Sequence, residues 1–309
     1  MKKTLIALAA VAVSGAAMAQ SSVTLYGKAN IGLQKTSGAD TKLVGGADGS
    51  ASRFGLRGSE DLGGGLKANF TLESGLDLAT GASDAVHFQR QAFVGLGGGF
   101  GEVRLGRQYT IGFGTSIGYM PSTYTSAQLN AGLGFNGAPA RDNAQIRYIS
   151  PSFGGVKVEL STQLKGNTNN DSALTELAVS YGNGPIKAAV YVSKVRDGDG
   201  TNAAINAGYD FGAFALSGGY VRVADDNRNA DSGFTSGGKG AWVGVSGKFG
   251  AFTPYLQYAK NTETEVDVVE LGSRYALSKR TGFYLHASRT SPDVGDKVNR
   301  VALGIDHNF

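Results

Sequence analysis

Single basic residues recur inside apolar, alternating stretches of this chain, and their positions are the first sign of chemistry. Strand side chains point alternately to opposite faces, so residues of one parity share one environment. Apolar residues occupy every second position and so share one face of the strand. This predicts that the basic residues between them face water on the other side of a sheet. The basic residues in such positions are Lys28, Arg53, Arg57 and Arg90. One long interruption of the pattern spans residues 109–142; Arg107 precedes it and Arg141 lies at its end. Fixed cations along one wall favour anions.

The same rule assigns individual residues to faces. Phe54 is expected on the apolar face, which faces lipid when such a sheet closes into a membrane barrel. Arg53 and Arg57 then point into the lumen of that barrel. Phe93 is also expected to face lipid, which turns Arg90 inward.

Other reactive groups lack an arrangement that supports catalysis or metal binding. His87, His286 and His307 are far apart and do not have metal-ligand spacing. The glycines of residues 95–101 precede no helical pattern, so they indicate a turn rather than a phosphate loop. No serine lies in a nucleophile motif. We therefore expect no metal, no cofactor and no enzyme activity.

The elements that position the basic residues are short strands. After residue 20 the chain has about sixteen stretches of roughly ten residues that alternate apolar with polar and end at turn residues. The pattern predicts an all-β fold, a transmembrane antiparallel β-barrel of sixteen strands. A β-sandwich also alternates, but its core favours large side chains throughout, whereas this chain contains 48 Gly. A closed barrel pairs every backbone polar group, which lipid requires.

Residues 1–19 are predicted to be a cleaved signal peptide. Lys2 and Lys3 precede an apolar stretch that ends at Ala17-Met18-Ala19, a small-residue cleavage site. Residues 20–309 then form a single barrel domain. The chain has no cysteine, which excludes a disulfide framework.

Net charge does not indicate a nucleic-acid partner. The chain carries a formal charge of +4 and a pI near 9.1. Its basic residues are scattered singly through the strands and form no basic patch.

Connections between the stretches alternate between short and long. This is typical of outer-membrane barrels, which have short periplasmic turns and longer external loops. The connection at residues 109–142 is far longer than the others, and a segment of that length is usually functional.

Several segments together resemble the Gram-negative general-diffusion porins, most closely those of betaproteobacteria. They are VTLYG at 23–27, SRFGLRGSEDLGGGL at 52–66, RQAFVGL at 90–96, LGRQ at 105–108 and the terminal Phe309. The resemblance covers nearly the whole chain after the signal peptide. It implies a homotrimer of sixteen-stranded barrels in the outer membrane, surrounded by lipid and lipopolysaccharide, with the third external loop folded inward. It also implies a basic ladder at the pore constriction, formed by Lys28, Arg53, Arg90, Arg107 and Arg141, with Arg57 as a further lumen charge.

In the enteric porins the inserted loop carries acidic residues that oppose the basic ladder, and this chain departs from that pattern. Residues 109–140 contain no Asp or Glu, so the inserted loop brings no negative charge to the ladder. We expect unopposed cations and therefore an anion-preferring channel for passive diffusion of small hydrophilic solutes and ions. A substrate-specific channel for organic acids, phosphate or sugars is one alternative. A structural or adhesive barrel with a closed lumen is another.

The C-terminal segment is predicted to act as an assembly signal. Residues 301–309 alternate and end in Phe309, which resembles the signal that the barrel-assembly machinery recognises. Phe309 also suits an aromatic girdle.

Overall fold

The computed structural model describes residues 22–122, 140–164, 173–195, 200–224 and 238–309. The predicted signal peptide lies outside these residues, as do residues 123–139 of the long connection. The elements are β1 (Ser22–Thr36), β2 (Lys42–Gly45), β3 (Arg53–Gly63), β4 (Leu66–Gly75), β5 (Gln91–Gly98), β6 (Gly101–Tyr109), α1 (Ile111–Ile117), β7 (Arg141–Ile149), β8 (Val156–Gln163), β9 (Leu174–Asn183), β10 (Ile186–Val195), β11 (Asn202–Asp210), β12 (Phe214–Val223), β13 (Gly238–Gly247), β14 (Phe252–Asn261), β15 (Asp267–Ala276), β16 (Thr281–Ser291) and β17 (Val298–Asn308).

The strands form one antiparallel sheet in which the last strand returns to the first. β1 pairs with β17 on one side, from Lys28↔Asn308 to Thr36↔Arg300. On its other side β1 pairs with β3 and, further along, with the short β2. β2 and β3 lie end to end as one wall strand, so the closed wall has sixteen strands. The predicted sixteen-stranded antiparallel barrel is confirmed.

An inward excursion separates β2 from β3. Gly45 pairs with Ile31 and Arg53 pairs with Lys28, so residues 46–52 lie opposite only two residues of β1. The extra residues fold onto the inner wall, where Ala47 and Asp48 are buried.

The two faces of the wall differ as the alternation predicts. Leu25, Val190 and Leu303 are 60%, 51% and 53% exposed on the outer face. In a membrane these side chains contact lipid rather than water. Asn30, of the opposite parity, is fully buried on the inner face.

Phe93 does not follow the predicted phase. It is buried, with the Arg104 guanidinium 4.9 Å from its ring centroid, whereas Val94 is exposed. The expectation that Phe93 faces lipid was wrong, because an aromatic ring covered by an arginine also suits the inner wall. Arg90 still reaches the lumen, since it precedes the first residue of β5 and its backbone N–H bonds the Glu73 carbonyl.

Helix α1 lies inside the barrel. Thr110 caps it, with its hydroxyl accepting from the Phe113 N–H at 3.2 Å. The helix packs against β8–β11, and Ile111, Tyr119 and Met120 join a buried apolar cluster on that wall. Within the described ranges no helix is long and apolar enough to cross a membrane.

A glycine on β13 permits the close approach of the segment after α1. A Cβ at Gly244 would lie 2.5 Å from Cγ of Pro121. Residues 111–121 therefore run from the β8–β11 wall to β13, which is the inward fold expected for the third long connection.

Candidate functional site

Two of the predicted basic residues share one carboxylate on the inner wall. The Arg90 Nε donates to Glu73 Oε1 at 2.8 Å, and the Arg53 Nε lies 3.6 Å from Glu73 Oε2. The Tyr26 hydroxyl donates to the same Oε2 at 2.9 Å. The Glu73 side chain is only 4% exposed, and two hydrogen bonds and one longer ion pair hold it in place.

A phenol joins Arg90 to Arg141. The Nη2 atoms of Arg90 and Arg141 donate to the Tyr109 hydroxyl oxygen at 2.8 and 2.7 Å. The Arg141 guanidinium also lies 4.3 Å from the Tyr109 ring centroid. The Tyr109 ring also stacks on the ring of Phe113 in α1, with the two centroids 5.2 Å apart. Tyr109 therefore links the basic residues to the inserted helix.

Among the residues that the structure describes, no carboxylate forms an ion pair with Arg141. Its Nε is buried and has no hydrogen-bond partner among the described residues. The neighbouring Asp142 accepts from the Gln163 side chain at 2.6 Å and from the Asn143 N–H at 3.0 Å.

Lys28 lies in a separate, charge-balanced group. Its Nζ is 2.9 Å from Asp48 of the inward excursion and 3.9 Å from Asp306 of β17. Arg274 pairs with Asp306 at 2.9 Å. The expectation of unopposed cations was therefore wrong for Lys28, and for Arg53 and Arg90, which face Glu73. The inward excursion and the barrel wall supply acids that the inserted loop lacks.

Arg107 is directed away from the Tyr109 contact. Its Nη1 donates to Asn143 Oδ1 at 2.6 Å, and its Nε donates to the Gln89 carbonyl. No described contact joins it to Arg90 or Arg141.

Arg57 lies on the inner wall nearer the short turns. Its guanidinium is 4.9 Å from the Tyr26 ring centroid, and no ion pair joins it to a described residue. Unlike Arg53 and Arg90, its side chain is exposed to the lumen.

Charges around Tyr109 are therefore unequal. Arg53, Arg90 and Arg141 contribute three positive charges, and Glu73 is the one carboxylate that contacts them among the described residues. The inserted loop adds none, since residues 109–140 lack Asp and Glu. Within this connected group, positive charge exceeds negative charge. The neighbouring Arg147 pairs with Glu159, and Glu176 lies outside the group, at the start of α1.

A family model described as Gram-negative porin matches residues 4–294. The chain belongs to the Gram-negative porin family. The porin is 35% identical to outer membrane porin protein 32 of Delftia acidovorans, over 92% of this chain and 88% of that protein. Major outer membrane protein P.IB of Neisseria lactamica is 28% identical over the full length of both chains. This chain, like these relatives, is an outer-membrane protein.

Solved structures agree with the fold. An anion-selective porin from Comamonas acidovorans matches with a TM-score of 0.77 and 28% identity, covering 94% of this porin and all of that chain. OmpT of Vibrio cholerae in a trimer form matches with a TM-score of 0.72 over 94% and 99% of the two chains, and its 16% identity supports the fold alone.

A buried carboxylate anchors the inserted helix of the porin. Glu176 accepts from the N–H groups of Ile111 and Gly112 at 3.1 and 3.0 Å. It also accepts from the hydroxyls of Ser161 and Tyr191 at 2.7 and 2.9 Å. A carboxylate at a helix N-terminus is favoured by the exposed N–H groups there.

A second attachment follows the helix. The Lys187 Nζ donates to the Gly118 carbonyl at 3.0 Å and lies 4.9 Å from the Tyr119 ring centroid. Burial raises the pKa of Tyr119 to about 12, so its hydroxyl stays neutral. The described part of the inserted loop is thus held at both ends of α1.

Phe309 closes the barrel seam of the porin. Its N–H and carbonyl exchange hydrogen bonds with Gly27 at 3.1 and 3.0 Å. Its ring covers Gly27 so closely that a Cβ there would lie 2.4 Å from Cζ of Phe309.

Sequence reasoning missed Tyr109, Glu73, Glu176 and Asp48. The strand pattern carried a signal for Glu73, because it shares the polar parity of Asn69 and Thr71 on β4. Asp48 had no such signal, since it lies in an excursion outside the alternation.

Proposed function

We propose that this porin forms a water-filled channel for passive diffusion of small hydrophilic solutes and ions, with a preference for anions. The observation that carries the proposal is the charge balance around Tyr109, where three arginines face one carboxylate beside the inserted helix. In a narrow lumen, unneutralised cations attract anions and repel cations. The anion-selective description of the Comamonas structure supports this choice.

In this proposal Arg53, Arg90 and Arg141 are the constriction residues that set selectivity. Lys28 contributes little net charge there, because Asp48 and Asp306 offset it together with Arg274. Arg107 supports the wall near Asn143.

The test is a reversal potential across a KCl gradient in a planar bilayer. The wild-type porin is expected to favour chloride, and Arg90→Gln is expected to reduce that preference severalfold. Arg280→Gln is the matched control, since Arg280 is exposed in the short turn before β16. A wild-type reversal potential that favours potassium would refute the proposal.

Liposome swelling separates this function from its alternatives. A general-diffusion channel admits uncharged solutes in order of size, whereas a substrate-specific channel departs from that order. A structural barrel with a closed lumen gives no swelling and no conductance.

We further propose that the porin assembles as a homotrimer in outer-membrane lipid and lipopolysaccharide. The barrel-assembly machinery inserts it and recognises the C-terminal segment ending at Phe309. Light scattering of the detergent-solubilised porin tests the trimer, and a monomer mass would refute it.

A further inference from the structure

Arg57 differs from Arg53 and Arg90 in its exposure and in the group that it contacts. The side chains of Arg53 and Arg90 are 27% and 11% exposed and both face Glu73. Arg57 is exposed, and its contact is with an aromatic ring rather than a carboxylate. A planar guanidinium stacked on a ring keeps the N–H groups along its edge available.

Threonines flank Arg57 in the sheet register. Thr24 of β1 lies directly opposite Arg57 on one side, and Thr71 of β4 lies opposite it on the other. All three have the lumen parity, since Phe54 and Leu56 are exposed on the outer face. One arginine and two threonines therefore lie in one row across three strands, with the guanidinium over the adjacent Tyr26 ring.

This row borders a cavity of about 420 Å³ on the inner wall. Arg104 and Glu102 lie at the far side of the cavity and form a bidentate pair at 2.9 and 2.8 Å. Since these two charges offset each other, the net charge of the cavity comes from Arg57.

The backbone of Arg57 lies further along β3 than that of Arg53. The two are four residues apart, which is about 13 Å at ~3.3 Å per residue. The Arg57 guanidinium contacts the Tyr26 ring, whose hydroxyl donates to Glu73, so the cavity adjoins the constriction group. β3 ends at a short turn, so Arg57 lies on the short-turn side of the Arg53–Glu73–Arg90 group.

We infer that Arg57, Thr24 and Thr71 form a second anion-binding site, which takes a small monocarboxylate on the short-turn side of the constriction. The inference rests on the proposed channel function and adds a ligand class to it. A carboxylate accepts two parallel N–H bonds from a guanidinium, and its remaining lone pairs suit hydroxyl donors. A single unpaired cation matches a single negative charge.

The absence of cysteine from the sequence makes a charge-exchange test available. Arg57→Cys provides a unique thiol, which 2-aminoethyl methanethiosulfonate converts to a cation and 2-sulfonatoethyl methanethiosulfonate converts to an anion. Acetate binding to the full-length solubilised porin is measured by saturation-transfer NMR at low salt. Arg280→Cys, treated identically, is the control.

We expect Arg57→Cys to weaken acetate binding about tenfold, the size of one charge-assisted hydrogen bond. The cationic reagent should restore much of the binding, and the anionic reagent should not. Thr71→Val should weaken it by a smaller factor and tests the site without changing charge. Unchanged acetate binding in Arg57→Cys, or equal effects of both reagents, would overturn the inference.

The outcome is independent of selectivity. A porin that favours chloride in the bilayer but binds acetate equally with and without Arg57 keeps its proposed function and loses this site. A porin that fails the reversal-potential test but loses acetate binding in Arg57→Cys keeps this site and loses its proposed anion preference.

Discussion

Tyr109 and Arg141 make two contacts with each other: the Arg141 Nη2 donates to the phenol at 2.7 Å, and the guanidinium lies 4.3 Å from the ring centroid. Because the other ring contact is Phe113, the inserted helix and the basic wall share one aromatic residue. The position of the loop and the position of the charges are thereby coupled.

Replacing Tyr109 with Phe removes the shared acceptor of Arg90 and Arg141 while keeping the stacked ring. We expect the free energy of unfolding to fall by about 1.5–3 kcal/mol, the range for a hydrogen bond to a charged group. The channel should still favour anions, because both charges remain. Urea unfolding and reversal potentials measure the two effects. Tyr148→Phe is the control, since its hydroxyl donates to the Phe100 carbonyl and to no charged group among the described residues. Loss of anion preference would contradict the charge argument.

Glu73→Gln should make the porin more anion-selective. The change removes the carboxylate that faces Arg53 and Arg90 but keeps an oxygen acceptor of similar shape. The reversal potential across a KCl gradient is expected to move further toward the chloride potential. Glu263→Gln, whose side chain is 40% exposed beside Lys239, should leave it unchanged. A shift toward potassium would mean that Glu73 does not act through its charge.

Glu176→Gln should loosen the inserted helix. An amide cannot accept from all four donors that now converge on the carboxylate, and each unsatisfied buried donor costs about 1–3 kcal/mol. We expect a lower unfolding midpoint and noisier single-channel current. The control is Glu265→Gln, which affects an exposed pair with Lys260. A quiet channel of wild-type stability would show that the helix is held elsewhere.

Gly27→Ala should impair closure of the barrel. A Cβ at this position would lie 2.4 Å from Cζ of Phe309 and 2.5 Å from the Arg53 carbonyl oxygen, which belongs to the backbone. Overpacking of this kind costs about 1–3 kcal/mol. The fraction of heat-modifiable, folded porin on gels measures the effect. Gly182→Ala is the control, because a Cβ there meets nothing within 4 Å. Normal folding of Gly27→Ala would exclude a tight seam.

Anion preference should decline as salt concentration rises. The screening length is about 10 Å at 0.1 M and about 3 Å at 1 M, so fixed wall charges act over a shorter part of the lumen at high salt. Reversal potentials at a constant gradient ratio, repeated from low to high KCl, measure the decline. A preference that does not depend on salt would indicate selection by size rather than by charge.

The inward phase of Arg53 and Arg57 followed from sequence alone, because a period of two places each residue on one face whatever the neighbouring strands are. The same logic failed at Phe93, where Arg104 on the next strand makes an aromatic ring suitable for the inner wall. The alternation also carried no information about Asp48, which reaches Lys28 from outside any strand.

The sequence by itself determined the closed barrel, its polar lumen and the lack of acids in the inserted loop, since these depend on local alternation and composition. Tertiary structure decided which cations are neutralised by a neighbouring acid and which are not. Asp48 and Asp306 come to Lys28 from distant segments, and Glu73 reaches Arg90 across strands. Arg57 contacts an aromatic ring and pairs with no carboxylate among the described residues. Pairing between charges depends on strand register and on chain excursions, which bring together residues that no local pattern relates.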